Sequence, residues 1–239
     1  MTVAQMHNEF KIGLDKVDSL SAPNFLVTEI DIFLNNAQEQ FVEQRAGKTN
    51  IKREGLEETQ KRIDDLKNII ENYETVAFTN TPSNKPNGVF VDLPSDYRRA
   101  IEEEVNISYI DCNGVATIGK PNVTPTTHDR YNTVVKKDPF NKPNKTQVYR
   151  LAFSKQGGNE TFELITSATE TITKYYLRYL KTPASITYGA QYVPSVANVD
   201  CELSSHTHRE IIALAVKNAL EDIQSPRYQT SKIELNEIE

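Results

Sequence analysis

Apolar positions in the first third of the chain recur at steps of three and four residues. Val3, Met6, Phe10, Leu14 and Val17 form one such series, which predicts an amphipathic helix over 2–18, closed by Ser19-Leu20-Ser21-Ala22-Pro23. Ile30, Phe33, Leu34, Ala37 and Phe41 make the inner face of a second helix, with Thr28 as N-cap, Asp31 completing a variant capping box and a stop near Gly47. A third run, 56–70, keeps Leu56, Ile63, Leu66 and Ile70, with Tyr73 beyond, on one stripe and its charges outside. Near the other end Ile212, Val216, Ala219, Leu220 and Ile223 mark a last helix, stopped by Ser225-Pro226.

Between these helices the period falls to two. The turn residues of 80–88 predict a hairpin-like loop joining 75–78 to 89–91. Ser95 is placed to cap a short helix through Glu104, followed by the β-prone run 105–110. The stretch 120–145 is polar and Pro-rich, with a short helix expected over 127–136. Strands follow around Tyr149, Leu151 and Phe153, around Phe162, Leu164 and Ile165, and over 172–181. In the last of these Tyr175, Leu177 and Tyr179 share an apolar face, while Lys174, Tyr176 and Arg178 share a cationic, aromatic one.

The order of elements predicts an α+β fold: a helical bundle of three N-terminal helices plus a C-terminal helix, with an inserted β-rich subdomain. The expected divisions are 1–74 for the first part of the bundle, 75–200 for the insertion, 201–226 for the C-terminal bundle helix and 227–239 for an extended interaction tail. The tail alternates Ile233 and Leu235 and carries Ile238, a pattern suited to adding to a neighbour's sheet edge.

Composition narrows the functional classes. A net charge of −6 on 239 residues argues against a dedicated phosphate-gripping surface. No apolar run reaches a membrane span, and the first residues lack the apolar block of a signal peptide, so synthesis in the cytosol is expected. Cys112 and Cys201 are the only cysteines and lack CxxC spacing; both are read as structural thiols in a reducing compartment.

Candidate chemistry is sparse. His206 and His208 stand two apart and so face different sides of a helix, unlike a zinc-binding pair. His128-Asp129-Arg130 could form an acid–base group, but no nucleophile motif accompanies it. Glu102-Glu103-Glu104 and Asp64-Asp65 read as solvated faces, because adjacent carboxylates on a helix point apart. No phosphate-loop, dinucleotide or hydrolase-elbow motif occurs. No catalytic residue, cofactor or metal is therefore assigned.

Five segments together, TVAQMHNEFKIGLDKVDS, LNNAQEQFVEQR, LEETQKRIDDLKNII, FVDLPSDYRRAIEEEV and SSHTHREIIALAVKNALEDIQSPRYQ, resemble the head-to-tail adaptor, or ring, proteins of tailed bacteriophages. They are nearest to the portal-proximal rings of crAss-like podoviruses. The resemblance implies a non-enzymatic virion protein at the portal–tail junction, assembled in the host cytoplasm. It implies a homo-oligomeric ring, twelve-fold to match the portal, that binds beneath the portal protein and carries DNA through its lumen toward neighbouring ring or tail proteins, without sequence-specific binding. The segment after Arg227 would then reach the portal or a neighbour, with Ile233, Leu235 and Ile238 as partner-binding anchors. Two alternatives remain beside it: a nucleic-acid module using Lys174, Tyr176 and Arg178, and an enzyme whose site gathers His128, Asp129, Tyr131 and Arg150.

Overall fold

The computed structural model describes residues 1–15, 25–47, 55–78, 85, 87–154, 160–189 and 197–223. It is mixed α and β, and divides into two compact units: Met1–Ile69 with Pro183–Glu239, and Ile70–Thr182.

In the helical unit α1 spans Val3–Asp15, α2 Val27–Ala46, α3 Gln60–Leu66 and α5 His208–Asp222, with α4 belonging to the other unit. The three-and-four stripe of α1 is buried at Val3, Met6, Phe10 and Leu14; Val17 lies outside the described residues. Helix α5 packs against α1 and α2, and α3 against α2. Gly13 permits the close approach of α1 to α5, since a Cβ there would stand 2.9 Å from Val216 Cγ2. The N-cap of α2 is Leu26, not Thr28: the Glu29 carboxylate accepts from the Leu26 N–H at 2.8 Å, so the acid one residue past Thr28 closes the first turn. Gly47 ends the helix as expected.

The third helix is shorter than its pattern predicts. After α3 and a 3-10 turn at Lys67–Ile69 the chain extends as β1, Ile70–Thr75, so Ile70 and Tyr73 join a strand rather than a helical stripe. Pairing with a distant strand, invisible in the local period, decides this.

The remaining strands are β2 (Gly88–Asp92), β3 (Tyr97–Ile110), β4 (Ala116–Gly119), β5 (Asn122–Pro125), β6 (Gln147–Ser154), β7 (Glu160–Ile165) and β8 (Thr171–Lys181). They form one sheet in the order β1-β8-β3-β5-β6-β7-β2, with β4 on β3; β5 and β6 are parallel and the other pairs antiparallel. The expected hairpin across 80–88 does not form, because β1 pairs with β8 and β2 with β7 at opposite ends of the order. The sheet curls instead, and the Tyr73 hydroxyl of β1 donates to the Asp92 carbonyl of β2 at 3.1 Å. Three register shifts along β3 against β8 supply bends, as bulges do.

The helix expected after Ser95 is absent, since that stretch is the start of β3. Ladder pairing with β8 outweighs the helix preference of three consecutive glutamates. Inside the curl lie Val91, Val105, Ile107, Val148, Phe162, Leu164, Ile172, Tyr175, Leu177 and Tyr179. On the opposite face of β6 and β7, Tyr149, Leu151 and Ile165 pack with Tyr131 and Val135. These last two come from the helical turn formed by α4 (His128–Arg130) and Tyr131–Val135, close to the short helix expected there.

Candidate functional site

The cationic, aromatic face of β8 forms as its alternation predicts: Tyr175, Leu177 and Tyr179 are buried, while Tyr176 is half-buried and Arg178 exposed. Its neighbours change its chemistry. Register sets Asn72, Arg178 and Glu102 in one row and Glu74, Tyr176 and Glu104 in the next. Arg178 Nη1 donates to Glu102 at 2.7 Å and Nε to Asn72 Oδ1 at 3.0 Å. Lys174 pairs with Glu74, which holds its ammonium pKa above the usual lysine value, and lies 5.1 Å over the Tyr176 ring. An open cavity of about 490 Å³ over this face is lined by Glu74, Glu102 and Glu104, with Arg178 the one cation among the described lining residues. Both β8 cations on this face are thus held by carboxylates, where a phosphate-binding platform needs them available.

Within the curl, Arg150 Nε stands 3.2 Å from Glu103, which also accepts from the Tyr175 hydroxyl at 3.0 Å. The Arg150 guanidinium covers the Phe162 ring at 4.1 Å. Burial pushes the Glu103 carboxyl above its ordinary pKa against the pull of Arg150, and burial drives the Tyr175 phenol far up. Tyr179, bonded to Asp96 Oδ1 at 3.0 Å, is pushed up to about 12, chiefly by burial. These shifted groups fill a packed interior; the cavities of about 490 and 460 Å³ lie elsewhere.

The helical unit has its own buried cluster. Arg45, 2% exposed, pairs with Asp65 at 3.1 Å and with Glu210, tying α2 to α3 and α5. His206 Nε2 meets the other Asp65 oxygen at 2.8 Å. Arg62 caps the end of α2 by donating to the Gln44 carbonyl at 2.9 Å.

The carboxylate runs therefore need correction. Glu102 and Glu104 face outward, but Glu103 turns inward because successive strand residues alternate; Asp64 is exposed, but Asp65 is 1% exposed against Arg45. The signal that could have found both was an arginine elsewhere in the chain, with no local spacing to link it.

The scattered enzyme candidates do not meet. His128 and Asp129 are exposed, with His128 Nε2 at 3.1 Å from the Ala152 carbonyl. Tyr131 is buried on one face of β6, and Arg150 points to the other, because Tyr149 and Leu151 alternate with it. His208 holds the Leu203 carbonyl at 3.0 Å and His7 holds Asp31 at 2.8 Å. Burial lowers the pKa of both. Among the described residues no cluster of three potential metal ligands forms, and no helix is long and apolar enough to cross a membrane. Cys201 is buried, its thiol donating to Gln38 at 3.2 Å and pushed up to about 11 by burial; Cys112 is exposed, contrary to a structural role. Ile233, Leu235 and Ile238 lie outside the described residues.

Residues 1–231 match the family model described as phage tail ring protein 3/4. The chain is 31% identical over 233 residues to Ring protein 4/5 of Bacteroides phage crAss001, covering 92% of each chain. It is 27% identical over 212 residues to Ring protein 3 of the same phage, covering 83% of this chain and 86% of that one. The chain belongs to the phage tail ring protein family, whose members are structural tail components rather than enzymes.

Proposed function

We propose that the chain is the subunit of a homo-oligomeric ring, twelve-fold to match the portal, that binds beneath the portal protein and extends the DNA channel toward neighbouring ring or tail proteins. The observation that carries this reading is the family match across residues 1–231. The paired cations of β8 and the net charge of −6 support the channel part, because a conduit must let phosphates slide and unpaired lysines or arginines would grip them. The helical unit and the curled sheet are the two compact parts of that subunit. The segment 227–239 binds the portal or an adjacent ring through Ile233, Leu235 and Ile238. Assembly takes place in the host cytoplasm, and the finished ring resides at the portal–tail junction of the virion.

Mixing the purified chain with purified portal, with particle mass and ring images recorded, tests this. A stoichiometric ring on the portal is the expected result, weakened by deletion of 227–239. A ring that binds only to another ring protein would move the subunit down the stack and sink the portal assignment.

A further inference from the structure

One loop and one groove of opposite character stand exposed among the described residues. The 3-10 turn Pro139–Asn141 presents Phe140 at 92% exposure. Its backbone is held: Asp138 caps the turn, accepting from the Phe140 N–H at 3.0 Å, and Pro139 sets the first dihedral. The ring is therefore displayed on a built turn. Lys136, Lys137 and Lys142 are exposed beside it, with no ion pair among the described residues. With Lys145 they put four lysines against one aspartate in 136–145, within a chain of net charge −6. A projecting aromatic set among ammonium groups fits an apolar pocket rimmed by carboxylates.

The helical unit carries such a pocket. Phe25, Ile32, Phe33 and Ile223 line an open groove of about 460 Å³, and Glu29 and Asp222 line it with them. Ile32 is 58% exposed, although it belongs to a helix whose other face is core. A volume in the range of roughly 300–1,000 Å³ typical of small-ligand pockets is ample for one phenyl ring.

We propose that Phe140 of one copy seats in this groove of a second copy, with Lys136, Lys137 and Lys142 opposite Glu29 and Asp222. The inference rests on the ring reading and names the contact that would build the ring. Loop and groove are different surfaces, so the contact is head-to-tail, and such a contact closes a ring when its rotation divides the circle. Duplex DNA is the competing occupant of the loop. It is disfavoured because an aromatic stacks on unpaired bases, and because DNA leaves the acid-lined groove unexplained.

The test uses full-length chains carrying Cys112→Ser, which removes the exposed thiol. Asn141→Cys, beside Phe140 on the same turn and leaving its ring in place, is put on one population and Asn36→Cys, in the groove lining, on another; the two are mixed and oxidised, with and without portal. A disulfide dimer found only in the mixture, and a ladder of oligomers from the doubly substituted chain, are expected. Phe140→Ala should weaken self-association by roughly thirtyfold, the scale of an interface hot spot. It should leave helical signal and melting unchanged, because the side chain touches little of its own fold. Lys137→Glu should weaken association, and Asp222→Lys on the same chain should restore it in part. Assemblies that form without the bridge and tolerate Phe140→Ala would overturn the contact and leave the ring reading intact. Absence of both bridge and assembly, portal included, would overturn both. Salt-sensitive duplex binding lost in Phe140→Ala, with no bridge, would overturn the contact and assign the loop to DNA.

Discussion

Each compact unit sets an arginine against carboxylate, fully buried at Arg45 and mostly buried at Arg150, and the two clusters are built differently. In the helical unit Arg45 faces two carboxylates, Asp65 and Glu210, from two other helices. In the curled sheet Arg150 pairs with one carboxylate among the described residues, Glu103, which also accepts from the Tyr175 phenol. A lone carboxyl that loses its cation can take up a proton and keep the phenol bond. Two carboxylates gathered on one guanidinium would be left facing each other without the cation that holds them together. The helical cluster thus fastens three helices at the risk of stranded charge, while the sheet cluster tolerates loss by titrating.

The sharpest way to break the comparison is Arg45→Met. With Asp65 1% exposed and only His206 left beside it, it should destabilise by about 3 kcal/mol, the lower end of the usual cost of removing one partner from a buried ion pair. Denaturant unfolding followed by the helical circular dichroism signal measures this, and Asp65→Asn with Glu210→Gln should recover part of the loss. A variant that unfolds like the parent would remove the fastening role.

Arg150→Met should cost less, about 1–3 kcal/mol near neutral pH, and the cost should depend on pH. The folded pKa of Glu103 is raised, so its contribution is fully present below the ordinary carboxyl value and lost as pH rises through the folded one. Removing the cation raises that pKa further. The gap between variant and parent should therefore widen as pH rises above the ordinary carboxyl value; a constant gap would contradict the titrating account.

His7 and His208 carry the opposite sign. Burial depresses both pKa values, so their stability contribution is present above the ordinary histidine value of 6.5 and lost as pH falls through the folded values. Melting temperature should drop on acidification below about pH 6.5, and His7→Gln should flatten that slope. An unchanged slope would place the acid sensitivity elsewhere.

The smallest effect is expected on the outer face. Arg178→Ala breaks a pair whose partners are each 52% exposed, and should cost no more than about 1 kcal/mol. Replacing Glu74, Glu102 and Glu104 by Gln should instead create salt-sensitive DNA binding that the parent lacks, read by fluorescence anisotropy across salt concentrations. If the parent already binds duplex with the same salt slope, pairing does not mask the β8 cations.

Much of this was legible in the chain. The three-and-four period determined α1, α2 and α5, the period of two determined β6 and β8 with Tyr175 inside and Arg178 outside, and the short apolar run Phe162, Leu164 and Ile165 marked β7. Those patterns are local: an amphipathic element needs only its own residues to define which side is apolar. Gly47 was read correctly as a stop, while Ser95, an equally good cap on paper, begins no helix. The difference lies in a partner strand more than seventy residues away in register, Glu102 against Arg178, which no window around Ser95 contains.

The chain by itself thus determined where helices and strands lie in most of the molecule, the absence of common catalytic motifs, and the ring-protein resemblance. Tertiary structure alone decided that 97–104 is strand, that β1 and β2 meet through a tyrosine rather than a ladder, and which of several adjacent carboxylates are buried. The physical reason is common to all three: a charged or extended residue goes inward only where a distant arginine or strand compensates its desolvation and its backbone hydrogen bonds. That compensation is a property of the folded chain, not of any segment of it.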